Sequence, residues 1–264
     1  MAAAAAHSSG SILGRAGGTV LDCRSTDSNL TGASSGIGLA TARLLTARRA
    51  KVALVARSKD KLEDLSRELP GSFAIAADMT NEQHIRGMVE ETVNHYGRLD
   101  ILVNNAGRGY DAPLEQIDTA KYRELFQLDV IGPLVAMQAA IPIMRNQGGG
   151  VIVNVSSGTS LMHLPTMSAY SSVKRALNAI TLTAREELAR DNIKVSVVYP
   201  YMTLTDFDKN MIDAADFVAT PEEDNSFRPP DRPEHVAQRI LEAIRSGAPE
   251  VFAHDWMKSL HQWP

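Results

Sequence analysis

From residue 31 onward, short apolar runs rich in β-branched residues alternate with longer amphipathic stretches. Strands are predicted at 51–56, 73–77, 101–104, 151–155, 193–198 and 250–253. Most are apolar at consecutive positions, the pattern of strands buried on both faces. The intervening runs read as helices. Thr80 and Gln83 have the Thr-x-x-Gln form of a capping box, opening a helix expected to end near His95. Residues 233–246 put Val236, Ile240, Leu241 and Ile244 on one face, and Gly247 follows as a C-terminal stop. Such alternation predicts an α/β fold, a doubly wound parallel sheet with helices on both faces. Sheets of this kind take ligands at the carboxyl ends of their strands. No internal repeat or linker interrupts residues 31–264, so one domain is expected there, after a disordered or atypical segment 1–30.

Two local patterns carry chemistry. The first is Thr31-Gly32-Ala33-Ser34-Ser35-Gly36-Ile37-Gly38, followed by a helical run. Glycines at these spacings permit a tight turn, close backbone approach and close helix packing. The helix start then offers free N–H groups and a positive dipole end to a phosphate. The second is Tyr170 and Lys174, which share one helix face about a turn apart. A phenol loses its proton near pH 10, and a nearby ammonium favours the phenolate. Lys174 is therefore expected to lower the Tyr170 pKa. Ser157 ends the predicted strand at 151–155, where its hydroxyl can meet a substrate oxygen as charge develops.

The turn TGASSGIG resembles, residue for residue, that of the short-chain dehydrogenase/reductase family. Asp78, Asn104-Asn105-Ala106-Gly107, Ser156-Ser157 and Tyr170-Ser171-Ser172-Val173-Lys174 match further family segments in order and spacing. The resemblance covers roughly residues 31–253 and implies a single-domain Rossmann-like fold. It implies an oxidoreductase that interconverts a carbonyl and a secondary alcohol by hydride transfer. Tyr170 is then the general acid/base, Ser157 orients the substrate oxygen, and Lys174 tunes Tyr170 and holds the nicotinamide ribose. The family's cofactor site maps onto Gly32, Ser34, Ser35, Gly36, Ile37 and Gly38. Asp78 and Met79 would meet the adenine, and Asn105, Ala106 and Gly107 the adenosine ribose, with Asn105 also tying central strands together. Thr203 and Thr205 would reach the nicotinamide carboxamide. NAD enzymes put an acidic residue at the end of the second strand. Here Ala56 and Arg57 stand there, and a guanidinium suits a 2′-phosphate, so NADP(H) is expected over NAD(H). Helices around 118–146 and 167–190 imply a homodimer or homotetramer, and 206–232 implies a substrate lid.

The chain departs from the family pattern at three places. Asp129 stands where the family has an asparagine that exposes a carbonyl for a proton-relay water. It brings negative charge near Lys174, and a weakened relay is expected. Tyr201 replaces a glycine after Pro200, and is expected to crowd the nicotinamide side or shape the substrate pocket. Before the glycine turn the chain reads Ser25-Thr26-Asp27-Ser28-Asn29-Leu30, where an apolar central strand is expected. Burying Asp27 and Asn29 unpaired would cost several kcal/mol. Either residues 19–23 supply a displaced strand, or this end is abnormal for the family. These departures keep open a second reading, a dinucleotide-binding regulator or scaffold with weak or lost catalysis.

Composition excludes other classes. The 264 residues are 44 % hydrophobic and 22 % charged, ordinary globular values that argue against a disordered chain or a membrane bundle. Apolar stretches fall short of the roughly 18 residues that a spanning helix needs. With 27 basic and 31 acidic side chains the net charge is −4, so nothing favours nucleic acid or anionic lipid. The single cysteine, Cys23, fits a reducing compartment, and a cytoplasmic location is expected. No HxxxH or CxxC spacing is present, so no metal site is predicted. The opening residues lack the basic start and apolar core of a secretory signal, and a tail is favoured over a transit peptide. Met211, Ile212, Phe217, Val218 and Phe227 suggest an apolar small-molecule substrate or, equally, packing on the fold itself. Residues 161–167 would form the opposite wall, with His163 read as a solvent-facing or packing histidine rather than as a second acid.

Overall fold

The computed structural model describes residues 26–213 and 228–261. Cys23, the run 19–23 and the hydrophobic side chains Phe217, Val218 and Phe227 of the expected lid lie outside that range. The described chain runs β1 (Asp27–Thr31), α1 (Gly36–Ala47), β2 (Lys51–Ala56), α2 (Lys59–Glu68), β3 (Ser72–Ala76), α3 (Glu82–Tyr96) and β4 (Ile101–Asn104). It continues through β5 (Tyr110–Asp111), α4 (Thr119–Phe126), a π turn (Gln127–Ile131), α5 (Gly132–Asn146), β6 (Gly150–Val155) and α6 (Ser168–Leu188). The last elements are β7 (Ile193–Tyr199), β8 (Ile212–Asp213), α7 (Pro233–Ser246) and β9 (Glu250–Phe252). Seven strands form a parallel sheet in the order β3-β2-β1-β4-β6-β7-β9. The order reverses between β1 and β4, which opens a crevice at their carboxyl ends.

The strand periodicity of two sorts side chains onto two cores. In β2, Val52 and Leu54 join Leu45 of α1, Leu62 of α2 and Ile240 of α7. Ala53 and Val55 face the other way, with Met88 of α3 and Val135 of α5. The six strands predicted from apolar runs all form, 51–56 and 101–104 with the predicted ends and the other four within one residue of them. Helix α3 starts one residue later than its sequence pattern suggests. Asn81 is the N-cap, accepting from the N–H groups of Gln83 and His84, while Thr80 donates its hydroxyl to Asp78 at 2.8 Å.

The polar segment 27–31 corrects the sequence reading. It is the central strand, wholly buried, and laddered to β2 and β4. Residues 27–30 therefore belong to the domain rather than to the leading segment. The backbone is satisfied from both sides, and several side chains find partners. Asn29 Nδ2 donates to Thr92 Oγ1 at 2.8 Å and to the Met88 carbonyl at 3.3 Å. Thr31 Oγ1 accepts from the N–H groups of Asn105 and Ala106. Ser28 Oγ and Asn29 Oδ1 remain buried without a hydrogen bond. Asp27 Oδ1 has only Lys51 Nζ at 3.6 Å.

Burial pushes the Asp27 carboxyl above the usual range, and Lys51 only partly pulls it back. The folded chain thus holds this proton to higher pH than the unfolded chain does, so ionisation opposes folding. The penalty is complete above the raised folded value and vanishes as pH falls into the ordinary carboxylate range. Asp27→Asn is expected to raise the Tm at pH 7, with the gain shrinking on acidification in thermal melts. A lower Tm at pH 7 would show that the Lys51 pair outweighs burial.

The run Thr119–Asn146 is continuous, and its most apolar window has a mean hydropathy of 1.4, enough by length and composition to cross a membrane. This corrects the expectation that no stretch is long enough. Its inner face explains that composition, because Val135, Ala136, Ala140 and Met144 pack into the sheet core.

Candidate active site

The glycine turn joins β1 to α1. Gly32 and Gly36 have φ of +68° and +52°, a backbone region that favours glycine. A Cβ on Gly38 would fall inside the Gly32 carbonyl oxygen. Asn105 Nδ2 donates to the Thr31 carbonyl at 3.0 Å, which fastens the end of β4 to this turn. Ser35 precedes α1 without capping it by its side chain, so the first N–H groups of the helix are left to another acceptor. Ser34, Ser35, Ile37 and Gly38 line the same start. This cradle fits a pyrophosphate.

At the carboxyl end of β2, Arg57 is exposed and has no hydrogen-bond or ion-pair partner among the described residues. Across from it, Asp78 accepts from the Thr80 N–H at 2.9 Å. That bond holds the Asp78 carboxyl low against burial, and Arg57 adds to the lowering. Met79 is buried, and its carbonyl lies 2.6 Å from where a Cβ on Gly132 would sit. Ala106 and Gly107 continue past β4 into the crevice.

Ser157, Tyr170 and Lys174 converge at the carboxyl end of β6. Ser157 leaves β6 in an extended conformation, and its Oγ accepts from the Thr159 N–H and hydroxyl. Helix α6 brings in Tyr170 and Lys174. It is tied to the sheet by a polar chain in which Asn104 Nδ2 donates to Asn154 Oδ1, and Asn154 Nδ2 to Thr181 Oγ1, both at 2.8 Å. Lys174 Nζ donates to the Val155 carbonyl at 3.2 Å and lies 5.8 Å from the Tyr170 ring centroid.

Asp129 joins them from the π turn, an irregularity common at functional sites. Its Oδ1 lies 2.7 Å from Lys174 Nζ, and the two side chains are 0 % and 4 % exposed. Its Oδ2 accepts from the Arg108 N–H at 3.1 Å. Only glycine fits at 107, because a Cβ there would stand 2.7 Å from Asp129 Oδ1 and 3.2 Å from Lys174 Nζ. Burial acts to lower the Lys174 pKa, but Asp129 and Tyr170 more than reverse it, so the ammonium is held. Tyr170 differs from expectation. Burial raises its pKa, Lys174 lowers it, Asp129 raises it again, and a Ser157 hydrogen bond lowers it, with a net rise. The lowering expected from Lys174 is present and is outweighed.

The loop after β7 covers this crevice. Thr205 reaches Gly36, where an added Cβ would meet its Cγ2 at 3.0 Å. The Thr203 hydroxyl donates to the Tyr201 carbonyl, and Thr205 Oγ1 accepts from the Phe207 N–H. Tyr201, at the start of this loop, turns its ring toward the carboxyl-terminal residues. It packs edge-on against Trp256 and donates to the Arg228 carbonyl at 3.2 Å. Phe207 packs on Tyr170, with ring centroids 5.8 Å apart.

Sequence reading missed a second polar group. Asp231, His235 and His254 bring potential ligand atoms within 4.8 Å of one another. Asp231 and His235 stand four residues apart at the start of α7, but His254 follows only after α7 and β9. The two imidazoles stack at 18°, so their lone pairs run side by side rather than toward one point. His254 Nε2 faces the Asp231 carboxylate at 2.9 Å, and His235 Nε2 faces the Ala253 carbonyl at 2.8 Å. Asp231 in turn exchanges backbone bonds with Met202 and Leu204. We read the group as a clamp on the loop.

Fold, glycine turn and the Ser–Tyr–Lys cluster together define a nucleotide-binding oxidoreductase. The short chain dehydrogenase profile matches residues 29–216, and the chain belongs to that family. It is 38 % identical to an uncharacterized oxidoreductase of Methylorubrum extorquens over 182 residues, which are 67 % of this chain and 73 % of that one. A short-chain dehydrogenase from Streptomyces avermitilis superimposes with a TM-score of 0.80 at 30 % identity, covering 90 % of each chain. A 7α-hydroxysteroid dehydrogenase, solved with NADH and 7-oxo glycochenodeoxycholic acid, gives 0.77 at 27 % identity, covering 88 % of this chain and 94 % of that one.

Proposed function

We propose that this oxidoreductase interconverts a carbonyl and a secondary alcohol with NADP(H), Tyr170 carrying the proton. The observation that supports this most is the convergence of Ser157, Tyr170 and Lys174 beside the crevice that opens between β1 and β4. A bound nicotinamide supplies or accepts the hydride. Ser157 holds the substrate oxygen, and Tyr170 donates to it or takes its proton. Lys174 keeps its ammonium against the Tyr170 ring, with N–H capacity left for a ribose hydroxyl. Gly32, Gly36 and Gly38 admit the pyrophosphate, Asp78, Met79, Asn105, Ala106 and Gly107 border the adenosine, and Thr203 and Thr205 border the nicotinamide. Phe207 on Tyr170, with Met211 over Gly109, favours an apolar carbonyl substrate. The described residues Phe207 and Met211 belong to the stretch 206–232 expected as its lid. The half-buried apolar residues of α5, Ile141 and Ile143 among them, favour a homo-oligomer. A single cysteine is consistent with a cytoplasmic location.

Arg57 favours NADP(H), because a free guanidinium at the end of β2 can grip a 2′-phosphate. Separate fluorescence titrations with NADPH and NADH test the reading, followed by a screen of carbonyl substrates. Arg57→Ala is expected to weaken NADPH binding by about 10- to 100-fold, the worth of a charge-assisted contact, and to leave NADH binding nearly unchanged. Equal losses for both cofactors would remove Arg57 from the phosphate site. One observation favours the second reading, a dinucleotide-binding regulator with weak catalysis: Lys174 is already engaged by a buried carboxylate. Tight NADPH binding with no turnover of any carbonyl would support it.

A further inference from the structure

Lys174 has three N–H bonds to give. One is donated to the Val155 carbonyl, and Asp129 Oδ1 lies 2.7 Å from Nζ as an ion-pair partner. Asp129 is held in that position. Its other oxygen accepts from the Arg108 N–H, the π turn carries its backbone, and Gly107 leaves the space the carboxylate occupies. The contact is therefore built from three segments, residues 107–108, the π turn and helix α6. An asparagine of the same shape could keep the Arg108 bond, but it would leave the ammonium a full positive charge beside Tyr170. With aspartate, the pair beside Tyr170 is close to neutral.

We propose that Asp129 is a positioning residue that neutralises Lys174 by direct ion pairing and so commits Tyr170 to proton donation, hence to carbonyl reduction, near neutral pH. The proposal rests on the dehydrogenase reading above and deepens it. Reduction needs Tyr170 as the phenol, whose proton passes to the substrate oxygen. Alcohol oxidation needs the phenolate, which a cation alongside stabilises and an ion pair does not. The charged groups acting on Tyr170 are Lys174 on its own helix and Asp129 from the π turn, with the Ser157 hydroxyl from the end of β6. The other faces packed around it supply Tyr110 of β5, Leu125 of α4, Ile212 of β8 and Phe207 of the covering loop, none of them a carboxylate or a basic side chain. On top of burial, which disfavours the phenolate, its formation at this site thus depends on two opposite charges in contact.

The full-length chain with Asp129→Asn tests this in two ways. The first is the phenolate ultraviolet absorbance of Tyr170, each protein being read against its own Tyr170→Phe counterpart. The reading is taken without cofactor, at the highest pH at which circular dichroism shows both folded. The variant is expected to show more phenolate than the wild type. The second is the pH profile of kcat/KM in both directions. Alcohol oxidation at pH 7 is expected to rise about tenfold, the change in phenolate fraction that one neutralised neighbour brings, and the alkaline limb of carbonyl reduction to move to lower pH. Equal phenolate in the two proteins, or profiles that do not move while only the Tm changes, overturns the proposal. A buried lysine without its partner can prevent folding, so Asp129→Asn with Lys174→Met removes both charges, a replacement that buried pairs often tolerate. This double variant is expected to match the phenolate of the wild type. Less phenolate than wild type would mean that the ammonium acts unopposed, and would equally overturn it. If the phenolate changes appear but no alcohol or carbonyl turns over, the dehydrogenase reading fails while the ionic coupling stands.

Discussion

Tyr170→Phe is expected to lower kcat by about 10²- to 10⁴-fold, the usual worth of a positioned general acid. NADPH affinity is expected to stay within about fivefold of the wild type, because a phenolic hydrogen bond contributes of the order of 1 kcal/mol at most to a shared site. The variant keeps the ring, and so keeps the packing on Val173 and Phe207. It also leaves Ser157 with its Thr159 partners. Steady-state kinetics with a responsive carbonyl and a fluorescence titration separate the two quantities. Undiminished kcat would take the proton-transfer role from Tyr170. Loss of cofactor binding along with turnover would instead point to a collapsed site.

The second large effect is expected at Gly38. A methyl group there overlaps the Gly32 carbonyl and comes 2.7 Å from Asn105 Nδ2. Neither neighbour is the free end of a long side chain. The carbonyl belongs to the turn itself, and Asn105 is bonded to the Thr31 carbonyl. The turn must open, and the N–H groups at the start of α1 then no longer converge. Gly38→Ala is expected to destabilise the fold by about 1–3 kcal/mol, as overpacking does, and to reduce NADPH binding below detection. Gly87→Ala is the matching control. Gly87 lies within α3, and a Cβ there meets nothing within 4 Å. Alanine at that site is expected to stabilise by up to about 1 kcal/mol through helix propensity. Denaturant melts and cofactor titrations of the two variants check the contrast. Normal NADPH binding by Gly38→Ala would mean that the dinucleotide does not use this turn.

Much of the architecture was legible along the chain. The apolar runs at 51–56 and 193–198 could only be strands covered on both faces, and they are. The motifs of the site were legible too, because a tight turn needs glycines at particular places and a Tyr-x-x-x-Lys pair needs only a helix. Strand β1 was not legible. A strand is recognised from its side chains, and Asp27, Ser28 and Asn29 stand where an apolar run is expected. Their backbone, however, is laddered to β2 and β4, and Thr92 meets Asn29 from α3. Those partners lie about 20 to 75 residues away in the chain. Local pattern does not reach that far.

The amino-acid sequence by itself determined the parallel α/β class, the glycine cradle, the Ser157–Tyr170–Lys174 set and the basic end of β2, since each depends on residue type at short range. Only the tertiary structure decided how those groups are charged. Lys174 was expected to lower the Tyr170 pKa, and that effect is reversed by burial and by Asp129, which the π turn carries into contact with the ammonium. The structure likewise turned Tyr201 toward Trp256 and brought Asp231, His235 and His254 together behind the loop. Charge interactions in a dry interior depend on distances of a few ångströms between segments that no local spacing relates. Such distances exist only once the sheet has brought its strand ends together.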